Sequence, residues 1–165
     1  MTLDTKTHRI YLASAEFAPA APGDHPACER ILRALPRWFG IEAALVGYVT
    51  RLPELAVRVA RADDDLVGFI AIEQHTKHAA EIHVMAVVPR EHGGGIGRAL
   101  VAHVEHELRA AGVDYLQVKT LSASSPDPSY AMTRRFYDAF GFVALEEHAT
   151  LWGASNPALQ MIKRL

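Results

Sequence analysis

Apolar and polar positions change period several times along the chain. The first apolar run, Arg9–Ala13, predicts a strand after a polar, loose start over residues 1–8. Phe17–His25 carries Pro19, Pro22 and Gly23 and reads as a loop. Pro26 then opens a helical stretch in which Ile31, Leu32, Leu35 and Trp38 fall on one face, and Pro36 predicts a kink or early end. After Gly40, Ile41–Leu52 predicts a second helix with Leu45, Tyr48, Val49 and Leu52 on one side. The period then drops to two. Leu55–Arg61, Leu66–Gln74 and Ala80–Val88 read as three strands, joined by the Asp63–Asp65 turn and the polar turn His75–Ala79. Such short connections predict an antiparallel meander.

The helical period returns after Pro89. Ile96, Leu100, Val104 and Leu108 recur every four residues in a helix running to about Ala111, and Gly112 sits where a C′ residue is expected. Tyr115–Leu121 is a further strand, and Ser122–Ser129, with Pro126 and Pro128, a loop. Tyr130–Phe140 reads as a short helix closed by Gly141, and Phe142–Glu146 and Leu159–Leu165 as the last strands. No repeat, low-complexity tract or linker interrupts residues 1–165, so the pattern predicts a single α/β domain.

Composition narrows the function classes. Apolar residues make up 50% and charged residues 22%, the balance of an ordinary globular chain. Seventeen Lys and Arg against nineteen Asp and Glu give a formal charge of −2, which argues against a general nucleic-acid binder. The one cysteine, Cys28, excludes a disulfide within the chain and suits a reducing compartment. No stretch reaches the roughly 20 apolar residues of a membrane span. The run Ile10–Ala15, interrupted by Glu16, is short for a secretory signal. The expectation is a soluble cytoplasmic protein without membrane or nucleic-acid partners.

The strongest chemical signal lies between a strand and a helix, at His92-Gly93-Gly94-Gly95-Ile96-Gly97-Arg98. Glycines strip side chains from the point where a helix presents unbonded N–H groups and its positive dipole end, which suits an anion. A Walker loop needs Gly-Lys-Ser/Thr where Arg98-Ala99 stands, and the dinucleotide pattern G-x-G-x-x-G lacks its third glycine. The segment resembles the acyl-CoA motif Q/R-x-x-G-x-G/A of the GCN5-related N-acetyltransferase (GNAT) family, with His92 in place of Gln or Arg. A second match, Phe136-Tyr137 followed by Gly141-Phe142, resembles the family's late F-Y-x-x-x-G-F element, with Tyr130 where an Asn is frequent. The resemblance covers about Arg9 to Leu165.

The resemblance implies a GNAT-like acyl-CoA acyltransferase fold: a splayed mixed sheet of six or seven strands with helices on both faces. It implies acetyl-CoA as cosubstrate, no metal, and acetyl transfer to a primary amine by direct attack. Met85, Ala86, Val87, His92, Gly93, Gly94, Gly95, Ile96, Gly97 and Arg98 would then bind the cosubstrate. Glu81 is the candidate base. It shares one side of its strand with His83, Met85 and Val87, and apolar surroundings would raise its pKa. Tyr137 is the candidate acid, since a phenol can donate to a forming thiolate. The resemblance places the acceptor near Trp38, Phe39, Tyr48 and His83, and a small-molecule amine is expected there. A protein N-terminus or lysine is the alternative acceptor, and a CoA-binding module without catalysis the alternative of another class. The pattern leaves room for a homodimer. His103 and His106 are three residues apart, not the four of a metalloprotease helix, and the Asp63–Asp65 run reads as a turn.

Overall fold

The computed structural model describes residues 15–165, so the strand predicted at 9–13 lies outside the described residues. Its elements are β1 (Glu16–Pro19), α1 (His25–Arg33), α2 (Pro36–Phe39), α3 (Glu42–Arg51), β2 (Ala56–Ala62), β3 (Asp65–Gln74) and β4 (Ala79–Val87). There follow α4 (Ile96–Ala110), β5 (Tyr115–Leu121), α5 (Pro128–Ala139), β6 (Val143–His148) and β7 (Ala158–Arg164). They form a seven-stranded mixed sheet in the order β1-β2-β3-β4-β5-β7-β6.

Two boundaries depart from expectation and one break falls where Pro36 places it, each for a local reason. Residues 17–19 of the predicted loop belong to β1, which pairs antiparallel with β2 in the register Phe17↔Ala60 and Pro19↔Arg58. The prolines hid it; among the described residues β1 is an edge strand, where Pro19 is tolerated. The early helical stretch breaks at Pro36 as expected: α1 ends at Arg33 and α2 begins at Pro36, because the Pro36 ring disfavours helical backbone at Leu35, which stands at φ −121° and ψ 58°. The late helix starts at Pro128, not Tyr130, because Asp127 caps it: its Oδ1 accepts from the Ser129 and Tyr130 amides at 2.8 and 3.2 Å.

By internal contacts the chain divides into two compact units, Met1–Ile72 with Val84–Glu107, and Glu73–His83 with Leu108–Leu165. In the first unit, Asp63 and Asp64, at φ 50° and 68°, make the tight β2–β3 hairpin turn. Val57, Val59, Phe69, Ala71, Val84 and Ala86 pack under Cys28, Ile31 and Leu32 of α1, Leu35 of the α1–α2 joint and Leu45 of α3. The opposite strand face meets α4. A Cβ on Gly68 would lie 3.2 Å from Ile96 Cγ2, Val87 Cγ2 and the Ala86 carbonyl. Residues 67–72 are therefore buried on both faces, which explains their unbroken apolar run.

In the second unit, β5 pairs antiparallel with β7 over its full length, and β7 with β6. The parallel β4–β5 ladder is short, running from Ala79↔Tyr115 to Ile82↔Val118. Among the described residues no helix is long and apolar enough to cross a membrane.

Candidate active site

The glycine turn belongs to the first unit. β4 stops at Val87, and the Val88 amide donates to the Val67 carbonyl at 2.8 Å. A single 3-10 turn at Pro89–Glu91 follows, then a turn over residues 92–95 that delivers the chain to α4. Gly93 and Gly95 have φ 78° and 91°, where L side chains are strained. A Cβ on Gly93 would meet nothing within 4 Å, so conformation, not crowding, requires that glycine. Ile96 and Leu100, 2% and 0% exposed, anchor the first helical turn in the core. The Ala99 amide donates to the Gly95 carbonyl at 3.0 Å, which begins the helical ladder. Amides earlier in the helix have no intrahelical acceptor. A side-chain-free turn held at a helix start fits a pyrophosphate, and so fits coenzyme A.

His92 does not extend outward from this turn. Its Nε2–H donates to the Val87 carbonyl at 2.8 Å, and its ring meets Trp38 edge-on with centroids 5.9 Å apart. Arg98 is exposed on the first turn of α4. Met85 is half-buried, while Ala86 and Val87 are 4% and 9% exposed, with Ala86 directed into the core. Trp38, Phe39 and Tyr48 are half-buried and pack against the same core, Phe39 and Tyr48 edge-to-face at 5.8 Å.

Glu81 lies in the second unit, 7% exposed, but not among apolar groups. Lys119 Nζ donates to both of its oxygens at 2.8 Å. Oε2 also accepts from Gln117 Nε2 at 3.0 Å and lies 2.8 Å from His75 Nε2. The chain of amides continues: Gln160 Nε2 donates to Gln117 Oε1 at 2.6 Å, and His148 Nε2 sits 2.9 Å from Gln160 Oε1. The expected apolar surroundings of this carboxylate are thus replaced by a polar row across β4, β5, β7 and β6. The sequence carried half of that signal, since Gln117 and Lys119 alternate with buried Leu116 and Val118. It lacked the parallel register, Glu81↔Gln117, that brings them to Glu81. His83 Nδ1 lies 3.6 Å from Glu73 Oε2, within ion-pair range.

Tyr137 is 5% exposed, and burial pushes its phenol above the ordinary tyrosine range. Its ring contacts Phe136 and Phe142 at 5.2 and 5.4 Å. The F-Y-x-x-x-G-F element is a helix C-cap. Gly141, at φ 85°, donates to the Asp138 carbonyl at 2.9 Å, and Phe142 N–H donates to the Tyr137 carbonyl at 3.1 Å. With the Tyr137–Phe142 ring contact, this is a Schellman motif complete with its apolar clasp. The cap fixes where Tyr137 stands.

Other candidates have structural roles. His103 stacks on Phe17 at 5.8 Å and lies 3.6 Å from Glu107 Oε1. Among the described residues no group of three or more His, Cys, Asp or Glu is placed to hold a metal ion.

A sequence profile described as "Acetyltransferase (GNAT) domain" matches residues 53–144. A protein of Azospirillum brasilense named "IAA acetyltransferase" is 39% identical over 69 residues, covering 41% of this chain and 45% of that protein. The match thus spans under half the length of that curated relative. The ribosomal-protein-S18-alanine N-acetyltransferase of Escherichia coli shares the fold at TM-score 0.74 and 19% identity, over 91% of this chain and 93% of that one. The aminoglycoside 6'-N-acetyltransferase of Enterococcus faecium does so at 0.68 and 20%, over 90% and 96%.

Proposed function

The chain belongs to the GNAT acetyltransferase family, and from that premise we propose that it is an acetyl-CoA-dependent N-acetyltransferase acting on a primary amine of a small molecule. The observation that carries this reading is the glycine turn at the start of α4, with Gly93 and Gly95 in left-handed backbone. The turn from His92 to Arg98 would hold the pyrophosphate by backbone N–H groups other than those of His92 and Gly94, which donate to the Pro89 and Glu91 carbonyls, with Met85, Ala86 and Val87 offering strand backbone beside it. When bound, acetyl-CoA supplies an acetyl group on a thioester, whose sulfur leaves as a thiolate.

In direct attack, a new N–C bond forms as the C–S bond breaks. The amine proton goes to base, and the sulfur needs a proton. Tyr137 Oη supplies the proton to sulfur, because burial keeps it protonated well into the alkaline range, ready to donate as charge develops. Glu81 takes the proton from the amine. Its Oε2 already faces Lys119, Gln117 and His75, whereas among the described residues Oε1 accepts from Lys119 alone. The lone pair left on Oε1 suits a proton relayed through water.

Half-buried Trp38, Phe39 and Tyr48 support a small acceptor, because aromatic walls suit a concave apolar pocket with few polar anchors. The named acceptors of the relatives span both classes, an aminoglycoside in one and a ribosomal-protein alanine in another. The test is thiol release from acetyl-CoA against an aminoglycoside, an arylalkylamine, a polyamine, an alanine-terminated peptide and a lysine peptide. Turnover of a small amine is expected. Turnover of the peptides alone would move the assignment to protein modification. Acetyl-CoA binding with no turnover of any amine would leave a non-catalytic CoA-binding module.

A further inference from the structure

We infer that His92 is a positioning residue that clamps the glycine turn to the end of β4, leaving the phosphate grip to backbone amides. This rests on the proposed acetyl-CoA reading of that turn. A carbonyl oxygen only accepts, so the 2.8 Å contact makes Nε2 the protonated nitrogen of His92 and Val87 its acceptor. Val87 is the last residue of β4, so the bond closes a five-residue span across the 3-10 turn. The backbone adds two bonds to that span, from the Glu91 amide to the Val88 carbonyl at 3.0 Å and from the His92 amide to the Pro89 carbonyl at 3.2 Å.

The other side of the imidazole is set by Trp38, whose ring meets it at 82°. Trp38 is itself packed on the core beneath α1 and α3. His92 is thus bonded at one edge and packed against Trp38. A side chain bonded back to the strand end is not directed at a phosphate, and the neighbouring Gly93, Gly94 and Gly95 carry no side chain to replace it. What His92 contributes is conformational. The turn holds two left-handed glycines, which sample many backbone states when unrestrained. A clamp on their N-terminal side lowers the ordering cost of binding.

The test uses the full chain, coenzyme A as probe, and two readouts. Amide hydrogen exchange over residues 92–98 is measured without ligand, and coenzyme A affinity by calorimetry. His92→Ala should speed exchange in the free protein and weaken coenzyme A about fivefold, the loss of one part-buried hydrogen bond. His92→Phe keeps a ring against Trp38 but cannot donate, and should behave like His92→Ala on both readouts. His92→Gln, whose amide can still reach the Val87 carbonyl, should restore both to within about twofold of wild type. Unchanged ligand-free exchange in His92→Ala and His92→Phe, with or without a loss of affinity, would overturn the clamp, since a direct phosphate contact alters nothing before ligand arrives. Wild-type protein that binds no coenzyme A would instead overturn the acetyl-CoA reading, and the exchange experiment would still decide the clamp.

Discussion

The start of α4 and the end of α5 are both built on glycines with positive φ, yet they treat their backbone groups in opposite ways. At the end of α5 the Gly141 and Phe142 amides turn back onto the Asp138 and Tyr137 carbonyls, and two aromatic rings close over them. At the start of α4 the glycines hold a turn open beside amides that the helix itself cannot satisfy. A closed end is a structural device: it uses its hydrogen bonds on itself and fixes the side chains nearby, Tyr137 among them. An open end keeps donors for something else. Glycine content alone does not separate the two; the destination of the N–H groups does.

Several substitutions would break or sharpen this contrast. The largest expected effect is on chemistry. Tyr137→Phe should lower kcat about a hundredfold with KM for acetyl-CoA little changed, in steady-state assays with whichever amine is turned over. Wild-type kcat would reduce the closed end to structure alone. Next is stability. Gly141→Val forces a β-branched residue to φ 85° and should cost about 1–3 kcal/mol, lowering the calorimetric Tm by several degrees.

A subtler effect is alkaline. Burial raises the Tyr137 phenol in the folded state, whereas an unfolded tyrosine titrates near 10. That contribution to stability is full below about pH 10 and is lost as pH rises further. Urea midpoints between pH 9 and 11 should fall for the wild type and fall less for Tyr137→Phe. The smallest effect concerns a bystander. Burial, with Asp24 nearby, pushes the Cys28 thiol up to about 12. Native protein at pH 8 should therefore react with iodoacetamide at least about a hundredfold more slowly than unfolded protein, as read by mass spectrometry.

Both glycine-punctuated ends were legible in the chain, because each rests on a local pattern: bare residues before an i, i+4 apolar repeat, and an aromatic pair bracketing Gly141. The strands of the meander were legible for the same reason. What escaped reading depends on pairing between distant segments. Lys119 and Gln117 meet Glu81 only because β4 and β5 run parallel in one register, and no local spacing encodes that choice. His92 was visible as a departure from the family pattern. Its bond to Val87 is a rotamer decision made by the strand end and Trp38. β1 was hidden by Pro19, whose missing N–H matters little at what is a sheet edge among the described residues.

The central claim is that the open helix start binds acetyl-CoA through backbone. It is tested most directly by calorimetric titration of acetyl-CoA into the wild type and into Gly97→Val. Gly97 lies within α4, outside the positive-φ glycines, so valine there keeps an allowed backbone conformation while adding a side chain beside the helix-start amides. The expected result is saturable binding to the wild type and at least about a hundredfold weaker binding to the variant, with Tm within a few degrees of wild type. Equal affinity in a folded Gly97→Val protein, or no binding to the wild type, would contradict it.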